Sequence, residues 1–201
     1  METAFQLIAG HPALDFVNTL DWRFRKTGPE DLLKSYADLL RFSEQSKVLT
    51  SKQTRQPHSE DARALQRCKE LREAMAEIFY ARLDGHRPSA ASLKTLERYF
   101  KAARQRQTLL GKESHLEWGW SPTKSETDLP LWALAMSASE LMLSESMDRV
   151  RACDNPECRW LFLDTSKNHT RRWCDMKVCG NRMKARRFKA QLRACPPVES
   201  G

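Results

Sequence analysis

The feature that most limits what this chain can become is an array of cysteines. Cys153 and Cys158 enclose Asp-Asn-Pro-Glu, Cys174 and Cys179 enclose four residues, and 15 residues separate the two pairs. Paired cysteines about two to four residues apart let two tight turns present four sulfurs to zinc at about 2.3 Å. The N-terminus, METAFQLIAGHPALDF, has neither a basic leader nor an unbroken apolar stretch of about 7 to 15 residues, so it does not read as a secretory signal and a cytoplasmic location is expected. In that reducing setting, six cysteines with four packed into 27 residues point to metal ligands rather than disulfides. Four thiolates could also hold an iron–sulfur cluster. His169 falls in a predicted turn away from the pairs, Cys68 on an apolar helical face, and Cys195 ahead of Pro196-Pro197 in a tail. Four protein ligands leave no coordination position for water or substrate, so the expected cofactor is one structural zinc and not a catalytic one.

Upstream of the array the patterning is helical. Residues 12 to 24 mix strand-like and helix-like spacing and lean towards helix. Thr27-Gly-Pro-Glu30 offers a capping box, with Leu32, Leu33, Tyr36, Leu39 and Leu40 at helical intervals, which predicts a helix over 30 to 46. A polar connector holds Pro57 and a cap at Ser59. A long helix then runs from Leu65 to Leu83 and stops at Asp84-Gly85. Pro88-Ser89 opens another helix, expected to reach about Leu109. Leu116, Trp118 and Trp120 alternate as a strand would, and Asp128-Leu-Pro130 opens an apolar helix ending near Arg149. No apolar run approaches the roughly 20 residues that span a bilayer. The expected fold class is mainly α: a helical domain over 1 to 148, a treble-clef-like zinc module over 149 to 195 built of knuckle, β-hairpin and basic helix, and a tail over 196 to 201.

Within the module, Trp160 to Asp164 alternate, Ser166-Lys-Asn168 can turn, and Arg171, Arg172 and Trp173 return, which predicts the hairpin between the cysteine pairs. Asn181 is a preferred N-cap for a helix from Arg182 to about Ala194. On that helix Arg182, Arg186, Lys189 and Arg193 form one stripe, while Ala185, Phe188 and Leu192 form an apolar edge expected to pack on the hairpin beside Trp160, Phe162 or Trp173. Charge is concentrated here. Residues 151 to 201 hold 12 Lys+Arg against 5 Asp+Glu, a net +7, whereas residues 1 to 150 hold 22 against 21, a net +1. Together with Arg171, Arg172, Lys184 and Arg187, the stripe outlines a footprint for a polyanion, although charge alone does not separate DNA from RNA. Trp160 and Trp173 could stack on bases, but packing is their commoner task.

The run LFLDTSKNHTRRWCDMKVCGNRMKARR, with Cys179-Gly180-Asn181-Arg182, resembles the CGNR zinc finger. Gly10 to Thr19, GHPALDFVNT, is similar to the opening of the ABATE domain that accompanies it. The resemblance implies zinc ligation by Cys153, Cys158, Cys174 and Cys179, DNA binding by the C-terminal module, and a bacterial transcription regulator with a sensor-like N-terminal domain. Arg159 follows Cys158 at a position that favours a small, glycine-like residue.

In the N-terminal part His11, Asp15 and Asn18 are polar residues in an apolar opening. They are candidates for binding a small-molecule effector or, the favoured reading, for structural hydrogen bonds. No phosphate-binding glycine loop or Ser/His/Asp arrangement supports an enzyme. The competing function is a protein-interaction adaptor, with the helical domain supplying a homodimer surface and the zinc module docking an acidic partner.

Overall fold

In a computed structural model, residues 4–55, 62–120 and 127–194 are described. The chain opens with a one-and-a-half-turn helix, α1 (Pro12–Val17), whose proline in the first turn and His11 cap set its start. Two short strands follow, β1 (Leu20–Asp21) and β2 (Glu30–Asp31), paired antiparallel. The next helix, α2, spans Tyr36–Gln45 and so begins six residues later than the spacing predicted. Its start is a capping box of Ser35 with Asp38, not of Thr27 with Glu30. The physical reason lies at Asp31: its carboxylate accepts two hydrogen bonds from Arg72 at 2.9 and 3.0 Å, and Lys69 sits 2.9 Å away. Those ties hold the segment extended across the face of the long helix.

After a short turn of helix, α3 (Ser51–Thr54), the long helix α4 (Ala62–Leu83) ends at Gly85, where φ is +74° and the His86 amide donates back to the Ala81 carbonyl at 2.7 Å. This is the glycine-terminated stop that Asp84-Gly85 announces. Pro57 and the expected cap at Ser59 lie outside the described residues. Ser89 caps α5 (Ala90–Arg106), which stops three residues short of the expected end because Gln107–Gly111 forms β3 and pairs with β4 (Leu116–Trp120). The last helix of this part, α6 (Leu129–Met142), buries Leu129 to Ala135 without interruption, as a helix apolar on all sides must. A 3₁₀ turn over Glu145–Arg149 closes it, in place of the helix continuing to Arg149.

Strand β5 (Val150–Ala152) pairs antiparallel with β6 (Leu161–Leu163). The hairpin therefore spans the first cysteine pair instead of lying between the pairs. The segment from Asp164 to Trp173, expected to supply its second arm, runs as a loop: a buried Asp164 accepts hydrogen bonds from Ser166 N at 2.9 Å and Arg171 N at 3.0 Å, which draws the backbone into a turn. A π-turn over Met176–Gly180 leads into α7 (Asn181–Ala194). Its cap is Asp175, whose side chain accepts from the Lys177 and Val178 amides, so Asn181 lies within the helix instead of capping it. Phe16, Phe42, Phe79 and Phe162 are fully buried in one apolar cluster, to which the strands around the cysteines contribute alongside the helices. Among the described residues, no helix is long and apolar enough to cross a membrane.

Candidate metal centre and its basic helix

Cys153 and Cys158 flank the tip of the β5–β6 hairpin, Cys174 precedes the π-turn that leads into α7, and Cys179 lies within that turn. All four are buried, and their sulfurs lie within 4.8 Å of one another. The Sγ atoms of Cys158 and Cys174 are 3.7 Å apart, which matches the roughly 3.8 Å edge of a tetrahedron with about 2.3 Å zinc–sulfur bonds. Among the described residues, no histidine or carboxylate joins the group. His169 packs its Nδ1 3.3 Å from the Asp164 carbonyl oxygen in the loop. The donor set is thus four closed thiolates, and they hold one structural zinc.

Electrostatics explains why a cation belongs here. Hydrogen bonds from Cys158 and Cys174 hold the Cys153 thiol far below its ordinary range, while the bonds they give to Cys153 push both of their own thiols up. Four thiolates cannot coexist in this volume without a positive charge between them. Asn155, fully buried, supports the cage: its carbonyl accepts from the Cys158 amide at 3.0 Å and its side-chain amide lies 3.5 Å from Cys179 Sγ. Sequence reasoning passed over Asn155 as a turn residue; its place two residues after the first ligand was the available signal. A Cβ on Gly180 would collide with Met176 Sδ and press on the Trp173 ring, so a side chain there requires the Met176 side chain to move.

The glycine-like position after Cys158 is left-handed, with Arg159 at φ +48°. Its side chain compensates for the strain. The guanidinium pairs with Asp84 at 2.7 Å and lies over the Phe24 and Tyr80 rings at 5.5 and 5.4 Å, while its carbonyl accepts from the Tyr80 hydroxyl at 3.0 Å.

The three polar residues of the opening face protein groups. His11 Nδ1 accepts from the Ala13 amide at 3.2 Å, and burial lowers its pKa, which favours the neutral acceptor. Asp15 accepts from the Ala9 amide at 3.0 Å; desolvation raises its pKa to about 6 against the pull of that bond. Asn18 pairs with Leu161 as a neighbouring strand would: its Nδ2 donates to the Leu161 carbonyl and its Oδ1 accepts from the Leu161 amide, both at 2.9 Å. Nearby, Trp160 Nε1 donates to Asp21 at 2.9 Å and the Leu163 amide to the Ala9 carbonyl at 2.7 Å. The beginning of the chain and the zinc hairpin are therefore stitched together.

The eight basic candidates separate. Arg171 is committed inward, donating to the carbonyls of Trp173, Cys174 and Ile8 with its guanidinium 4.2 Å from the centre of the Phe162 ring. Arg172 pairs with Asp154 at 2.6 Å, Arg186 with Glu157 at 3.0 Å, and Arg182 lies 4.5 Å over the Trp22 ring. Lys184, Arg187 and Lys189 are exposed and form no ion pair among the described residues. The side chain of Arg193 lies outside the description. The apolar edge of α7 does not pack on the hairpin: Phe188 and Leu192 are each 61% exposed, and among the described residues the polar and ring contacts of the helix with the body come from its first two turns, Arg182 on Trp22 and Arg186 on Glu157. The hairpin instead packs on the helical body, α1 against β6 and α4 against β5.

A mainly helical body carrying a C-terminal four-cysteine zinc finger defines the class. Residues 10–145 match the ABATE family, described as "Putative stress-induced transcription regulator", and residues 149–191 match the CGNR zinc finger. The first match covers more than half of the chain, which belongs to the ABATE family. Neither is an enzyme family. No curated protein matches the chain.

Proposed function

We propose that this protein is a zinc-dependent, DNA-binding transcription regulator, not an enzyme, in which zinc fixes the base of α7 and α7 follows the phosphates of a duplex. The observation that carries the reading is the projection of α7: from Asn181 to Leu192 every residue but the half-buried Met183 is exposed, and three of its cations form no ion pair among the described residues. A cationic helix of 14 residues with no tertiary contact along most of its length is marginal in water, and a polyanion supplies the missing partner. Arg171 holds the zinc loop in place, so it belongs to the scaffold of that surface and not to its contacts. His11, Asp15 and Asn18 serve as structural hydrogen-bonding groups, so any effector of the helical body binds elsewhere.

The test is duplex binding by the zinc-loaded chain as salt is varied. If Lys184, Arg187 and Lys189 each neutralise one phosphate, log Kobs against log salt has a slope of about −2.7, steepening to about −4.5 if Arg182 and Arg186 leave their partners to join them. Salt-independent binding, or none, refutes the reading. Retention of an acidic protein without DNA would favour the adaptor function instead.

A further inference from the structure

We propose that the β3–β4 hairpin is a homodimer surface, on which β3 pairs antiparallel with β3 of a second copy across a two-fold axis. This does not depend on what α7 binds. Among the described residues, the hairpin is a two-stranded sheet and neither strand has another neighbour. The Lys112 amide donates to the His115 carbonyl at 2.8 Å, which fixes the phase of the ladder. Counting back in the register, Leu110 faces Glu117 in a hydrogen-bonded pair and Leu109 faces Trp118 in a non-bonded one. The backbone N–H and C=O of Leu109 therefore point away from β4 at an open edge.

Natural sheets protect such edges with lysine, proline or a bulge. Strand β3, Gln-Thr-Leu-Leu-Gly, carries none of these. Its side chains are equally unprotected: Leu109 is 53% exposed, and Leu116 and Trp118 on the same face are each 67% exposed. That face continues towards the core through Trp120, whose ring lies tilted 6.3 Å from that of Trp132.

The occupant these features fit is the same strand. Antiparallel pairing centred on Leu109 sets Leu109 beside its copy, Thr108 opposite Leu110, and Gln107 opposite Gly111, so within β3 no charge meets a like charge; one step further out Lys112, already paired with Glu117, comes opposite Arg106, whose guanidinium lies over the Trp132 ring. Beside the tip of the hairpin Lys112 pairs with Glu117 at 3.1 Å. The product is a four-stranded sheet with one continuous apolar face.

Three variants of the zinc-loaded full chain test this. Leu109→Pro removes an amide that the hairpin itself does not use, so helix content and zinc stoichiometry stay unchanged while dimer affinity falls about 30-fold or more, the factor for two lost backbone hydrogen bonds. Leu109→Cys, in a Cys195→Ser background, forms an intermolecular disulfide under mild oxidation, because hydrogen-bonded partners lie about 5.5 Å apart between Cα atoms. Trp118→Cys, on the other strand, does not. A parent monomeric in sedimentation at micromolar concentration overturns the proposal. So does a dimer that survives Leu109→Pro, or one that cross-links through Trp118→Cys and not through Leu109→Cys.

Discussion

Replacing Asn18 by alanine tests how firmly the zinc hairpin is fastened to the start of the chain. Asn18 is 4% exposed and Leu161 is fully buried, so truncation removes two hydrogen bonds and leaves the Leu161 amide and carbonyl without partners in a dry site. Each buried unsatisfied group costs about 1 to 3 kcal/mol, and some relaxation is expected, so the loss should be about 3 kcal/mol. For a chain of 201 residues that lowers Tm by about 6 to 12 °C. Urea unfolding of the zinc-loaded protein, followed by circular dichroism, reads the free energy directly. Asn18→Asp should lose at least half as much, since its carboxylate still accepts from the Leu161 amide but cannot donate to the carbonyl. No small molecule is required for any of this. If Asn18→Ala unfolds within about 0.5 kcal/mol of the parent, Asn18 is not the fastening, and an effector-binding role for it returns to consideration.

Cys174→Ser should abolish stoichiometric zinc in elemental analysis and remove hydrogen-exchange protection from residues 150 to 180; one zinc per chain in the variant would refute the assigned ligand set. Arg159→Gly should change stability by less than about 1 kcal/mol, because release of the left-handed strain offsets a half-exposed ion pair, whereas Arg159→Val should cost more than about 2 kcal/mol in the same melts. Asp15, with its pKa raised from 3.8 to about 6 by burial, binds its proton more tightly folded than unfolded. Its contribution is therefore full below pH 3.8 and is lost as pH rises through 6, amounting to about 3 kcal/mol. Asp15→Asn, which keeps the acceptor for Ala9, should lack that decline, and parallel slopes for parent and variant between pH 4 and 7 would contradict it.

The metal site was legible because its chemistry is local: four ligands, two turns and a spacing are all that zinc requires. Helix ends were legible where one residue decides them, as at Gly85 and Ser89. What escaped was set at long range. The start of α2 depends on Asp31 reaching Arg72, 41 residues away, and no pattern around Thr27 reveals that. Pairing of β6 with β5 instead of residues 171 to 173 follows from Asp164 being buried and drawing its own loop into a turn. The apolar edge of α7 read as a packing face, but the hairpin meant to receive it packs on α1 and α4, a long-range arrangement that no local pattern reveals.

The two family segments are separated by three residues, 146 to 148, yet the more intimate join is between residues 8 to 22 and the zinc module. Asn18 and Ala9 act as a surrogate strand for β6, Asp21 holds the Trp160 indole, and Trp22 receives Arg182. A finger excised at residue 149 and fused to a foreign partner would carry a raw seam, with Leu161 and Trp160 turned outward. Grafting this module elsewhere means transplanting Ile8 to Trp22 along with it.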